Sequence, residues 1–271
     1  MKRAGKPFAR RTGSIKRKMK QKTKNAVISA FAVLCMWAVW VAAYFIVNNQ
    51  YVLPSFTDTA AAIWALLCSG RFWASFGMTA LRVLLAWLAS FALAAVCAAL
   101  SAASGGFRRF VAPIVGVLRA LPTMAFTLML LIWTSPRVAP VIVALMMLFP
   151  LTYSQMTAAY SAVDGGLIEM AKVYGVSKKD RVMKIYLPQT LPPVLAQAGA
   201  DFSLALKVMV SAEVIAGTYT SLGGMINEAS MYLMVAEMFA LTIAVLVFGG
   251  VCEYALGKLT KITDRWNKGA A

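Results

Sequence analysis

The chain has 271 residues, 61% of them hydrophobic and 14% charged, with a formal net charge of +17 and no histidine. Soluble domains carry roughly 25% charged residues, so the composition excludes an ordinary soluble fold. The lack of histidine removes His-dependent nucleophilic triads and every His-containing metal site. The four cysteines (Cys35, Cys68, Cys97, Cys252) show no CxxC spacing, which argues against a structural zinc.

In chain order, residues 1–24 come first and hold eleven Lys or Arg and no acid. A basic block directly before an apolar run is a positive-inside signal that also suits anionic lipid headgroups. It reads as a cytoplasmic tail rather than a nucleic-acid arm or a cleaved leader, because the apolar run after it is too long for a signal-peptide core. A single transmembrane domain is expected over 25–260, followed by a cytoplasmic tail at 261–271. Hydropathy predicts six spans, near 25–47, 79–101, 110–134, 138–160, 191–216 and 232–256, each close to the roughly 20 residues that cross a bilayer. Between the first two, "LPSFTDTAAAIWALLCSGRFW" reads as an amphipathic helix at the outer interface. With the basic tail inside, Arg108, Arg109 and the bases of the 169–188 stretch also fall inside, so both termini are predicted cytoplasmic.

The loop at about 164–190 departs from the apolar chain around it. "EMAKVYGVSKKDRVMKIYLP" (169–188) carries five basic and two acidic side chains. Leu167, Met170, Ala171 and Tyr174 repeat at helical spacing, Gly175 can supply a turn, and Ser177-x-x-Asp180 matches a helix-capping pattern. Val182, Met183, Ile185 and Tyr186 give a second helix an apolar face, which Pro188 is expected to interrupt before the fifth span. The segment is therefore predicted to be a helix–turn–helix outside the membrane that offers apolar residues to a partner.

The order Glu169-x-Ala171-x3-Gly175-x9-Ile185-x-Leu187-Pro188 resembles the cytoplasmic coupling loop of binding-protein-dependent ABC importer permeases, with Met170 where a second Ala is usual. The stretches "LPS" (53–55), "TALRVLLAWLAS" (79–90), "LRALPTMAF" (118–126) and "SAEVIAGTYTSLGGMI" (211–226) are similar to the branch that imports nitrate, sulfonates, taurine and thiamine-precursor-like molecules. The resemblance implies an all-α polytopic fold of the type I importer kind and a pathway formed with a second permease chain, a copy of itself. It also implies ABC ATPase subunits docking at 169–188 and an extracytoplasmic solute-binding protein. The chain contains no G-x4-G-K-[ST], so ATP and Mg are assigned to the partner ATPase and no catalysis or cofactor to this chain.

Ionisable residues within spans are costly and count as functional candidates. Asp201, Lys207 and Glu213 in the fifth span are six residues apart, about 120° around a helix at each step, and so cannot share one face. Lys207 is a candidate contact for an anionic solute or, alternatively, a partner for an acid on another helix. Glu213 is a candidate for a gate or for helix packing, and Arg119, in an R-x-x-P element with Pro122, for a kinked helix end or gate. Glu237 is placed to pair with Arg82. A stand-alone secondary transporter is the alternative function, although no internal repeat supports it.

Overall fold

The computed structural model describes residues 27–28, 31–32, 34–47, 49 and 51–268, with backbone alone over 259–268. The basic tail at 1–24 lies outside the described residues. The elements are α1 (Leu34–Val47), α2 (Phe56–Cys68), α3 (Gly70–Ala103), α4 (Gly105–Ala120), α5 (Thr123–Trp133) and α6 (Ala139–Ser161). They continue with α7 (Gly165–Val173), α8 (Lys178–Arg181), α9 (Leu187–Ala216), α10 (Leu222–Met231) and α11 (Val235–Lys268). The protein is an all-α polytopic membrane protein.

Among the described residues, three helices, α3, α6 and Val235–Lys258 of α11, are long and apolar enough to cross a membrane, or four spans if the α4–α5 pair counts as one. That pair lies where the third span was expected at 110–134, and its two helices are bent by 100° at the kink expected beside Arg119 and Pro122. Pro122 is the reason. A proline pushes the residue before it out of the helical region, and Leu121 is extended at φ −67°, ψ 125°. The second span begins at Gly70 rather than near 79, so the expected interfacial helix is divided at Ser69 into α2 and the first turn of α3. α9 is 30 residues long, but its charged and polar residues keep it out of the count of apolar spans.

The bundle is centred on α3, α6, α9 and α11, whose shared core includes Val83, Leu148, Leu206, Met209 and Leu241. Lipid tails are as apolar as leucine, so helices in a bilayer are held by close packing rather than by hydrophobic exclusion, and small residues permit it. Ala86, Ala144, Ala205 and Ala240 accordingly sit fully buried in that core. At Gly199 an added Cβ would lie 2.8 Å from the carbonyl oxygen of Glu253, which shows how near α9 and α11 approach. Many large apolar side chains, such as Leu84, Leu85, Val96, Leu246 and Val247, face outward as lipid-facing residues do.

The bundle has two ends. At one, α7 and α8 connect the C-terminus of α6 to the N-terminus of α9. At the other, α10 links α9 to α11 and is clasped to α3 by a two-pronged Arg71–Glu228 ion pair, one arm of which measures 3.1 Å. The Thr218 hydroxyl also donates to the Pro136 carbonyl at 2.6 Å, tying the α5–α6 loop to the α9–α10 loop.

Candidate functional site

The segment joining α6 to α9 is a capped hairpin. Asp164 caps α7, its carboxylate accepting from the Gly166 N–H at 2.8 Å. α7 ends in the turn expected at Gly175, which has φ +69°, a conformation that disfavours any residue with a Cβ. The Val176 N–H bonds back to the Ala171 carbonyl at 2.9 Å and the Gly175 N–H to the Lys172 carbonyl at 3.1 Å, the paired bonds of a Schellman end. Ser177 caps α8 by accepting from the Asp180 N–H at 3.1 Å, while its hydroxyl donates to the Asp180 carboxylate at 2.7 Å. Lys184 completes the turn with an ion pair to Asp180 at 2.9 Å. The Lys184 ammonium, then the Ser177 hydroxyl, hold the Asp180 carboxyl below the usual carboxylate range.

The expected break at Pro188 is corrected. α8 passes through a π-helical turn, Val182–Tyr186, directly into α9, and Pro188 occupies the first turn of α9. The Leu187 N–H reaches the Val182 carbonyl, one residue beyond the α-helical partner. This wider register comes immediately before a residue that has no N–H to offer, so the chain absorbs Pro188 by changing its ladder rather than by stopping. Glu169 is exposed, Ala171 buried, Ile185 half-buried and Leu187 exposed. Around the turn, Met170, Val173, Tyr174, Val182 and Met183 are all more than half exposed, Val173 at 85% and Tyr174 at 80%. A charged hairpin that displays five large apolar side chains has the character of a protein-interaction surface.

The intramembrane charges fall into two environments. Glu213 is fully buried and accepts from Arg82 at 3.0 Å, from the Thr79 hydroxyl at 2.9 Å and from the Gly223 N–H at 3.3 Å. Arg82 also donates to the Thr220 carbonyl at 3.0 Å, and the Leu222 N–H donates to Thr79 at 2.9 Å. This knot joins α3, α9 and the start of α10, and it replaces the Arg82–Glu237 pair expected from sequence. Gly223 makes it possible, since a Cβ there would lie 2.4 Å from that of Glu213. Two of the stretches that carried the family resemblance, 79–90 and 211–226, thus meet at one buried ion pair. Asp201 is also buried and accepts from the Gln155 amide at 2.9 Å.

Lys207 is exposed and makes no ion pair among the described residues. It lines a cavity of about 220 Å³ between α9 and α11, with Ser203, Gly249, Gly250 and Glu253. The three charges of α9 therefore point in different directions, two inward and one outward. Arg119, the last residue but one of α4, donates to the Pro150 carbonyl at 3.2 Å and to the Ser154 hydroxyl. It fastens the α4–α5 bend to the middle of α6. Sequence reasoning did not single out Thr79, Glu253 or Asp164. Thr79 and Glu253 acquire meaning only from neighbours on other helices, whereas Asp164 before Gly165 is a capping signal readable locally.

Residues 90–260 match the family model described as "binding-protein-dependent transport system inner membrane component". The chain is 26% identical over 220 residues to SsuC of Escherichia coli (strain K12), named as an aliphatic sulfonates transport permease, covering 80% of this chain and 82% of the relative. It is 25% identical over 234 residues to the riboflavin transport system permease RibX of Chloroflexus aurantiacus, covering 76% and 80% of the two chains. Among solved structures, a chain of an amino acid ABC transporter superposes with a TM-score of 0.58 at 20% identity, over 72% of this chain and 93% of that one.

Proposed function

Since the chain belongs to the family of binding-protein-dependent transport inner membrane components and is a permease subunit of an ABC importer, we propose that it is driven by a separate ATPase docking on residues 169–188. The observation that carries this reading is the hairpin itself. A rigid turn locked at Gly175 displays Met170, Val173, Tyr174, Val182 and Met183 outside the bundle, at the positions where the sequence pattern resembles a coupling loop. In this reading the hairpin and both termini lie in the cytoplasm of a bacterial cell, and residues 25–260 act as one permease domain. ATP and Mg belong to the ATPase, and an extracytoplasmic binding protein delivers solute at the α10 end.

The pathway is assigned to the face of α9 and α11 that carries Lys207 and Glu253. Lys207 is nine residues from the end of α9, about 14 Å along the helix, and therefore well inside a bilayer of roughly 30 Å. A charge at that depth costs about 2.5–3.5 kcal/mol against lipid, so water, solute or a second copy of this chain covers it. A lysine at such a point suits a small anionic solute. The sulfonate named for one relative fits that chemistry; the flavin named for another shows that identity near 25% leaves the solute open. The test is uptake of a labelled aliphatic sulfonate by cells lacking their own sulfonate permease, with and without the ATPase. ATPase-dependent uptake is expected. Uptake that persists without any ATPase, driven by an ion gradient, would transfer the function to a secondary transporter.

A further inference from the structure

Two adjoining cavities lie at the α7 end of the bundle, apart from the Lys207 face. The larger, about 310 Å³, is walled by Ala95 and Ala99 of α3, Met156 of α6, Tyr186 of the π-turn, and Leu191 and Val194 of α9. Its lining is overwhelmingly apolar, and its volume is at the low end of the roughly 300–1,000 Å³ found for ligand sites. The smaller, about 20 Å³, shares Ala98 and Tyr160 with it and adds Arg108, Ser101, Thr157 and Ser161. An apolar slot thus continues into a polar notch.

Among the described residues, Arg108 is the only charged group in that notch. The hydroxyls beside it are already engaged: Ser101 with the Tyr153 hydroxyl at 2.8 Å, Thr157 with the Tyr153 carbonyl at 2.9 Å, and Ser161 with the Thr157 carbonyl at 2.9 Å. The Arg108 side chain is exposed and without an ion pair among the described residues. It also sits in the first turn of α4, which contains no acid and has Arg109 beside it. The N-terminal end of a helix carries positive partial charge, so two arginines there are electrostatically disfavoured until an anion arrives.

We propose that the paired cavities bind an anionic phospholipid, with its phosphate at Arg108 and part of an acyl chain in the apolar slot. A free phosphate makes no use of the slot, and the phosphate of a zwitterionic lipid is already balanced by its own cationic headgroup, so Arg108 favours a lipid with net negative charge. Basic pockets between membrane helices recognise anionic headgroups in this way. Placing the lipid in the cytoplasmic leaflet rests on the reading of 169–188 as the cytoplasmic docking segment. One wall of the slot belongs to that segment: Tyr160 stacks on Tyr186 of the π-turn with centroids 4.5 Å apart and planes 1° from parallel. An occupied slot therefore braces the π-turn that joins α8 to α9.

The test is native mass spectrometry of the purified full chain, equilibrated with equal phosphatidylglycerol and phosphatidylcholine. Preferential retention of phosphatidylglycerol is expected. Arg108→Gln should lower it about fivefold, the value of one basic side chain at a membrane surface. Ala99→Phe, which fills the slot from an exposed position, should lower retention of both lipids, and Ala95→Phe serves if that variant does not elute as a folded species. Equal retention of the two lipids by the wild type, or wild-type retention in both kinds of variant, would overturn the site. So would a phosphatidylglycerol preference that is lost on deletion of residues 1–24, since the eleven bases of the tail would then be its source. ATPase recovery with retention unaffected by the variants sinks the lipid site alone. Retention as expected in a chain that recovers no ATPase sinks the docking reading alone.

Discussion

Glu213 and Arg82 form an ion pair in a fully buried place, and such a pair is costly to break from one side only. Arg82→Met leaves the Glu213 carboxylate with its hydroxyl and amide donors but no counter-charge, and should destabilise the protein by about 3–5 kcal/mol. The double variant Arg82→Met/Glu213→Leu should recover much of that loss, because it removes both charges together. Thermal unfolding in detergent measures both, and a single variant as stable as the wild type would remove the knot from the account. Lys207 calls for a different readout. Lys207→Ala should raise the solute concentration for half-maximal uptake while leaving unfolding unchanged, since the side chain makes no ion pair in the described structure. An unchanged half-maximal concentration with reduced stability would make Lys207 a packing residue. The charges of α9 were visible in the sequence as three positions pointing three ways. Which of them faced inward was not, because Thr79 and Gly223, the groups that receive Glu213, lie 134 and 10 residues away along the chain.

At the level of elements, the hairpin between α6 and α9 was the most readable part of the chain. Its signals are local: a glycine at the one position with positive φ, a serine cap and an acid three residues on. The continuation through Pro188 was missed because a proline looks like a stop, and only the π-turn shows how the ladder steps around it. The kink expected at Arg119 and Pro122 is present, but its 100° size was not legible, since many membrane helices tolerate a proline with a milder bend. Gly175→Val should cost at least the roughly 1–2 kcal/mol of forcing a side chain into a left-handed conformation. An alanine Cβ at that position would touch nothing within 4 Å, so the milder Gly175→Ala isolates the conformational part. Valine should abolish most ATPase stimulation without removing the protein from the membrane; full stimulation would contradict the hairpin's role. The start of α8 has a pH dependence of its own. The Asp180 carboxyl lies below its ordinary range in the folded hairpin, so its contribution is present above the unfolded value, near pH 4, and is lost as pH falls through the folded one. Hydrogen exchange of residues 178–181, corrected for intrinsic rates, should accelerate only below about pH 4. Acceleration between pH 7 and 5 would mean that some other group holds the cap.

For the whole molecule, the hairpin lies at one end of α9, Lys207 in its middle and the Glu213 knot towards its other end. Under the proposed docking, a push on the hairpin would pass through the π-turn into this one long helix, whose far end is pinned to α3 and α10. Polytopic membrane character could be read from composition because apolar runs of span length have few other uses. The assembly could not, since one chain shows only an exposed apolar hairpin and an exposed Lys207, and neither names what covers it. The most direct measurement is co-purification of the chain from its native host in mild detergent, with mass spectrometry of what stays bound. Recovery of an ATP-binding-cassette ATPase, lost when residues 169–188 are replaced by a Gly/Ser linker in a chain that still reaches the membrane, is the predicted result. An ATPase retained by the linker variant would contradict docking at the hairpin, and a wild-type chain that moves solute in liposomes with no ATPase bound would contradict the importer mechanism itself.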